Sequence, residues 1–147
     1  MKYTIYVMRH QRPGSMNTNC VSPDELQNTN MLAETVRTLN VHRVFTCLPN
    51  SSKHIRPLQT ASNLCAITDK HLECCDGVDS LPMYVHGNIL VVWHHSEMNE
   101  ILNHFGMVSD FEWPVDNYDG CLSINEFGWE YAPTFFSNTP WYSWFCL

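Results

Sequence analysis

Basic residues are scarce in this chain, which has 8 Lys and Arg against 15 Asp and Glu and a formal net charge of -7. A negative protein repels the phosphate backbone of nucleic acids, and no basic stripe with interleaved aromatic residues offsets that repulsion. We therefore expect no nucleic-acid partner. Any anion that the protein binds requires a local pocket of positive charge.

Long apolar runs are also absent. No stretch reaches the roughly 18 uncharged apolar residues of a membrane span, and the N-terminal segment becomes charged too early for the apolar core of a signal peptide. We therefore expect a cytoplasmic protein with no membrane partner. Because the chain has 147 residues, 44% of them hydrophobic, one buried core is enough, and we expect a single domain over residues 1–147.

Regular cysteine spacing is missing as well. The seven cysteines are irregularly placed, which argues against a secreted disulfide framework and favours free thiols. The adjacent pairs Cys74–Cys75 and His94–His95 lack the spacing of a zinc site. No cysteine is followed by arginine at the distance that a thiolate phosphatase loop needs. We therefore expect no metal, no cofactor and no cysteine-based phosphatase chemistry.

What the sequence does contain is an alternation of strand and helix patterns. Short apolar, β-branched segments predict strands, and capping residues followed by helical periodicity predict helices. This alternation predicts a three-layer α/β/α sandwich with a mainly parallel central sheet. The predicted strands are 3–8, 41–47, 88–93 and 120–124, the predicted helices are 22–39, 51–65 and 96–105, and a loop is predicted over 73–80.

Residues 128–147 are rich in aromatic and turn-forming residues but have no clear period. We interpret this segment as an irregular tail packed on the domain, because aromatic tails usually cover the edge of a core. Stacking on a ligand or partner, or a dimer interface, are the alternatives. The oligomeric state stays open.

Polar groups follow the predicted strands at the edge where open α/β sheets bind ligands. His10 follows the first strand, His94 follows the strand at 88–93, and Arg56 lies in the first turns of the helix after the second strand. The N-terminus of that helix adds N–H donors suited to phosphate. The sequence therefore predicts that these three segments converge on an anion site.

The residue types at this site suit phosphoryl transfer. Guanidinium groups hold planar, permanent positive charge, so Arg9 and Arg56 are candidate phosphate ligands. A histidine with a pKa near 6.5 offers a neutral nitrogen for attack at neutral pH. His10 is the candidate nucleophile because an arginine precedes it, and His94 is expected to donate a hydrogen bond to the phosphoryl oxygens.

Three segments carry a family resemblance: residues 7–10 end in Arg-His, residues 52–61 read Ser-x-x-x-Arg-x-x-Gln-Thr-Ala, and residues 90–94 form a strand that ends in histidine. Together, and in this order, they resemble the histidine phosphatase superfamily, which includes phosphoglycerate mutases and small phosphohistidine phosphatases. The resemblance covers about residues 3–105. It implies a phosphoglycerate mutase-like fold and a phosphatase that needs no metal.

The resemblance also implies a phosphohistidine on His10, with phosphate held by Arg9, His10, Arg56 and His94. Two positions depart from the family pattern. Gln11 stands where the family has glycine after the histidine, and His95 stands where glycine often follows the second histidine. We expect both to add bulk near the rim of the pocket, either narrowing the substrate range or marking a degenerate site. Side-chain alternation predicts that His95 points away from His94 and is either structural or lines the rim.

Many members also use a carboxylic acid to protonate the leaving group. Residues 72–77 loosely resemble the stretch that carries it, which makes Glu73 the first candidate. Asp76 and Asp79 come next, and Glu97, near His94, is the least favoured candidate. Compact members often lack this acid. A general acid contributes about 10²- to 10⁴-fold, so its loss slows hydrolysis without abolishing it.

The expected reaction is hydrolysis of a phosphomonoester in two steps, transfer to His10 followed by attack of water. The expected partner is a phosphorylated small molecule or a phosphoprotein. Mutase activity is less expected, because few further cations are present to hold a second anionic group. The alternative is a catalytically degenerate phosphate-binding or scaffolding module of the same fold.

Overall fold

The computed structural model describes residues 2–13, 20–22, 25, 28–49 and 54–137. Six strands and three helices lie within these residues. Two short 3-10 turns, Val78–Ser80 and His95–Glu97, precede β4 and α3 respectively. In chain order the elements are β1 (Tyr3–Arg9), α1 (Thr29–Thr38), β2 (Val41–Cys47), α2 (Ile55–Thr68), β3 (His71–Cys75), β4 (Gly87–Trp93), α3 (Met98–His104), β5 (Cys121–Asn125) and β6 (Gly128–Ala132).

The strands form one sheet in the order β3-β2-β4-β1-β5-β6. Strands β1 to β4 run parallel, whereas β5 is antiparallel to β1 and β6 is antiparallel to β5. A mixed α/β fold with a mainly parallel sheet is therefore confirmed. Arg9 of β1 is the register partner of Trp93 of β4. Because these are the last residues of two neighbouring parallel strands, the chains that follow them leave the sheet side by side.

Two clusters of buried residues pack against the sheet. Alternate residues of a strand point to opposite faces, so Val91 and Trp93 of β4 belong to one cluster and Leu90 and Val92 to the other. The first cluster includes residues of α3, and the second includes residues of α1 and α2. Burial of these apolar faces holds the helices on the sheet.

The long periodic segments follow the sequence prediction closely. The strand predicted over 41–47 is Val41–Cys47, and the strand predicted over 88–93 is Gly87–Trp93. The third predicted helix is divided into the turn His95–Glu97 and α3. The predicted starts of the first two helices fall largely on residues outside the described part of the chain. None of the described helices is both long enough and apolar enough to cross a membrane.

Two predictions about irregular segments were wrong. Residues 71–75, partly assigned to a loop, form the edge strand β3, which pairs with β2 from Arg43↔His71 to Cys47↔Cys75. Residues 128–132, assigned to an irregular tail, form β6, which pairs with β5 across the turn at Asn125↔Gly128. Both strands are five residues long, and such short strands take their order from pairing with a neighbour. Residues 138–147 of the predicted tail lie outside the described residues.

Candidate active site

The ends of β1 and β4 and the start of α2 bring the predicted site residues to one edge of the sheet. His10 and His94 directly follow the register pair Arg9↔Trp93. Arg56 lies in the first turn of α2, and its charge, together with that of Arg9, acts on His10. The structure therefore places the two histidines and the two arginines in one positively charged group.

His10 is held with one specific ring nitrogen protonated. Only 2% of the residue is exposed, and its Nδ1 lies 2.7 Å from the carbonyl oxygen of Gln11. Because a carbonyl only accepts, Nδ1 carries the hydrogen, and the lone pair of the neutral ring is on Nε2. Burial lowers the pKa of His10 to about 3, and the charges of Arg9 and Arg56 also lower it. The imidazole is therefore neutral, with Nε2 available, over the whole ordinary pH range.

Arg9 is a buried cation with one donor left unpaired. Its Nη1 donates to the carbonyls of Val115, at 2.5 Å, and Asn117, at 3.4 Å. Its guanidinium carbon lies 3.9 Å from the ring centroid of Tyr118, a cation–π geometry. The Nε atom is buried without a hydrogen-bond partner. Leaving a charged donor buried and unpaired is costly, and contact of this atom with an anion would remove that cost.

His94 has partners at both ring nitrogens. Its Nε2 lies 2.6 Å from Oε1 of Glu97, and its Nδ1 lies 2.7 Å from the hydroxyl of Ser96. The ring also stacks on His54 with 4.0 Å between centroids. Burial lowers the pKa of His94 to about 4, and His54 lowers it further while Glu97 opposes both. For His94 to donate to a phosphoryl oxygen from Nε2, the carboxylate of Glu97 must give up its place.

His95 lies on the rim of the same group. Burial lowers its pKa, and Arg9, His54 and Arg56 contribute in the same direction. It borders a cleft of about 570 Å³. Its predicted position on the rim therefore agrees with the structure. The other residues along this cleft include Ser96, Asn99, Glu100, Phe111 and Trp113.

Gln11 is not an obstruction in the pocket. Its side chain is buried, and Nε2 donates to the carbonyl of Glu25 at 2.9 Å and to Oγ1 of Thr29 at 3.4 Å. Its backbone N–H donates to Oγ1 of Thr60 at 2.9 Å. The expectation that Gln11 adds bulk at the rim was therefore wrong, since the side chain is held against the segment that leads into α1.

The structure places Glu73 away from this group. Its carboxylate accepts two hydrogen bonds from Arg43, at 2.6 and 2.8 Å, and these bonds lower the pKa of Glu73. Strand β3, which carries Glu73, is three strand positions from β1, or roughly 14 Å at the usual spacing of about 4.8 Å. An ionised carboxylate at this distance is not placed to protonate a leaving group at His10.

The other candidate acids differ in position. Asp79 borders a second cleft, of about 550 Å³, together with Glu97 and Glu100. Asp76 borders a third cleft with Arg43 and Glu73. Of the four carboxylates considered from the sequence, Glu97 is the one that contacts a histidine of the site. It was the least favoured of the four candidates. Within the described ranges, no group of three or more His, Cys, Asp or Glu is arranged to hold a metal ion.

Two further residues of the site were not predicted. His54 stacks on His94 and has a left-handed backbone with φ of 61° just before α2. Tyr118 lies beneath Arg9 and has its ring centroid 5.7 Å from that of His10. The position of His54 within the segment that carries Arg56 was a usable signal. Tyr118 follows a long aperiodic loop, and nothing in the sequence distinguishes it.

No protein-family model and no curated protein sequence matches the chain. Solved structures do share its fold. A protein from Agrobacterium tumefaciens assigned as phosphohistidine phosphatase SixA superposes with a TM-score of 0.56 at 11% identity, covering 88% of this chain and 95% of that one. A protein from Nakamurella multipartitia, also assigned as SixA, gives 0.52 at 16% identity, covering 88% and 87%. The chain therefore shares the fold of these two proteins, which is the fold that the resemblance noted in the sequence implies.

Proposed function

We propose that the chain is a phosphatase that forms a phosphohistidine on His10 and hydrolyses it. The observation that carries this proposal is the hydrogen bond from Nδ1 of His10 to the carbonyl of Gln11, at 2.7 Å. It leaves the Nε2 lone pair free on a buried, neutral ring beside two guanidinium groups. A nucleophile and the cations that hold its electrophile are thus provided by the same few residues.

In the first step, Nε of Arg9 and the guanidinium of Arg56 bind the phosphoryl oxygens, which satisfies the unpaired donor of Arg9. The Nε2 lone pair of His10 attacks phosphorus. The bond from phosphorus to the leaving atom breaks, and the leaving group departs with the bonding electrons. A phosphoryl oxygen replaces Glu97 at Nε2 of His94, which then donates to the charge that develops.

In the second step, the oxygen of a water molecule attacks phosphorus. The phosphorus–nitrogen bond breaks, and its electron pair returns to Nε2 of His10. Inorganic phosphate leaves, and one proton of the water passes to the solvent. The enzyme is thereby restored with His10 neutral, as its lowered pKa favours.

Substrates with a good leaving group are favoured, because Glu73 is ionised and remote. A phosphohistidine ring that carries a proton on its other nitrogen releases a neutral imidazole, whose conjugate acid has a pKa near 6.5, whereas an alkyl phosphate must release a far more basic alkoxide. The names of the two structural relatives point to the same substrate. We therefore propose phosphoprotein side chains, phosphohistidine first, with the cleft of about 570 Å³ beside His95 holding the residue that leaves.

We propose that residues 1–147 form one domain, and that its sheet is the central layer of a three-layer α/β/α sandwich. Support comes from the two buried clusters on the sheet. One cluster includes residues of α3, and the other includes residues of α1 and α2.

The test is hydrolysis of an activated aryl phosphate and of a phosphohistidine peptide across pH 5 to 8 in the presence of a chelator. Wild type is compared with His10→Ala and with His42→Ala, which removes an exposed histidine of β2. We expect turnover in wild type and His42→Ala and a loss on the order of 10³-fold or more in His10→Ala. Acid-labile phosphate on the protein should be trapped in wild type and in His42→Ala but not in His10→Ala.

A folded wild type that binds inorganic phosphate without turning over either substrate would contradict the proposal. That result would favour the alternative, a phosphate-binding module, because binding needs the arginines but not the nucleophile. Equal activity in His10→Ala and His42→Ala would also contradict it.

A further inference from the structure

Gln11 is held at three points, two on its backbone and one on its side chain. Its N–H donates to Oγ1 of Thr60 at 2.9 Å, its side chain donates to the Glu25 carbonyl at 2.9 Å, and its carbonyl accepts from Nδ1 of His10 at 2.7 Å. Gln11 and His10 are both nearly fully buried, and Thr60 is 0% exposed. Water is therefore a poor substitute for any lost partner in this chain of contacts.

One face of α2 carries Thr60, which accepts the N–H of Gln11. Arg56, Gln59 and Thr60 are separated by three and four residues, a spacing that places side chains on the same side of a helix. Oε1 of Gln59 accepts the N–H of Val21 at 2.6 Å. The helix that provides a proposed phosphate ligand thus also fixes the segment that follows the nucleophile.

We propose that Thr60 is a positioning residue for His10 and acts through the backbone of Gln11. By accepting the N–H of Gln11, Thr60 fixes the carbonyl that takes the Nδ1 hydrogen of His10. That carbonyl determines which ring nitrogen is protonated. The consequence for catalysis rests on the proposed function, whereas the consequence for the tautomer of His10 does not.

Neutral imidazole has two forms, which differ in whether Nδ1 or Nε2 carries the hydrogen. If the Gln11 carbonyl moves away, Nδ1 loses its acceptor and the hydrogen is free to occupy Nε2. A ring protonated at Nε2 has no lone pair there with which to attack phosphorus. Loss of the Thr60 oxygen should therefore reduce the fraction of His10 that is competent, without changing the cations that bind phosphate.

Thr46 provides a matched control. It is also 0% exposed, but its Oγ1 has no hydrogen-bond partner. Thr46→Val and Thr60→Val therefore make the same chemical change at equally buried positions. Only Thr60→Val removes a hydrogen-bond acceptor that is in use, namely the acceptor of the Gln11 N–H.

The experiment compares wild type, Thr60→Val, Thr60→Ser and Thr46→Val. We expect kcat of Thr60→Val to fall by about 10- to 100-fold, the range for a misplaced reacting group, with KM nearly unchanged. Thr60→Ser keeps the oxygen and should approach wild type, as should Thr46→Val. The ¹⁵N shifts of the His10 ring should report Nδ1–H in wild type and a shift towards Nε2–H in Thr60→Val.

The proposal is overturned if Thr60→Val and Thr46→Val have the same kcat and the same His10 tautomer. If Thr60→Val does not fold, Thr60→Cys replaces it, because a thiol fills similar space and accepts a weaker hydrogen bond. An intermediate tautomer population then supports the proposal, and one equal to that of Thr60→Ser overturns it. A wild type with no turnover but with the expected tautomer change in Thr60→Val contradicts the proposed function alone.

Discussion

Nε2 of His94 lies 2.6 Å from Oε1 of Glu97, three residues further along the chain. The same oxygen of Glu97 accepts a hydrogen bond from Nε1 of Trp93 at 3.1 Å. The carboxylate is thus fixed at the nitrogen with which His94 is proposed to contact a phosphoryl oxygen. Two anions cannot share one N–H without repulsion, so Glu97 competes with the substrate.

Replacing Glu97 should therefore improve substrate binding. We expect Glu97→Gln to lower KM for an aryl phosphate by about 2- to 10-fold, the effect of roughly 0.4 to 1.4 kcal/mol, with kcat little changed. Glu126→Gln, which removes an exposed carboxylate between β5 and β6, is the control and should leave KM near the wild-type value. A large loss of kcat in Glu97→Gln, greater for poor leaving groups, would instead identify Glu97 as the proton donor.

Gln11→Gly tests whether the departure from the family pattern obstructs the site. The substitution removes the hydrogen bonds to Glu25 and Thr29 and adds backbone freedom in the unfolded chain. We expect the free energy of unfolding to fall by about 1 to 3 kcal/mol and kcat/KM to fall as well. Urea titration and steady-state kinetics measure the two effects. A glycine variant more active than wild type would mean that the glutamine does narrow the pocket.

Glu73→Gln separates a structural ion pair from a catalytic acid. The Glu73 and Arg43 side chains are 31% and 40% exposed, so solvent screening limits their contribution to about 0 to 1 kcal/mol. We expect a small loss of stability, the same in Arg43→Gln, and an unchanged kcat for both poor and activated leaving groups. The sequence-based assignment of Glu73 as the acid would be restored by a selective loss of about 10²-fold or more with poor leaving groups.

Arg9, His10, Arg56 and His94 could be grouped from the sequence because regular elements place them. Two residues directly follow neighbouring parallel strands, and the spacing of residues 56, 59 and 60 places them on one helix face. Periodicity and strand direction are properties of short segments, so they are readable without a structure.

The candidate acid could not be found in this way. Residues 73–80 lack a period, and whether Glu73 reached the site depended on the pairing of a short edge strand and on its ion pair with Arg43. Tyr118 depends likewise on the path of an irregular segment. The outcome at Gln11 required the positions of Glu25 and Thr29, which only the folded chain defines. Contacts made by loops depend on tertiary packing, and local sequence patterns do not predict them.

The buried histidines predict a loss of stability in mild acid. The pKa of His10 is lowered to about 3 and that of His94 to about 4, whereas in the unfolded chain both lie near 6.5. The unfolded state therefore binds protons first as the pH falls. The stability contributed by each neutral histidine is fully present above about pH 6.5 and is lost as the pH falls towards the folded pKa. Each histidine contributes up to roughly 1.4 kcal/mol per pH unit in that window.

Urea unfolding between pH 7.5 and 5 measures this slope before most carboxylates titrate. Wild type is compared with His10→Asn, which cannot take up the proton, and with His42→Ala, which removes an exposed histidine. We expect the slope below pH 6.5 to be smaller in His10→Asn by about the contribution of one histidine and to be unchanged in His42→Ala. Parallel curves for wild type and His10→Asn would mean that His10 takes up its proton in the folded protein, and the neutral nucleophile would then lose its support.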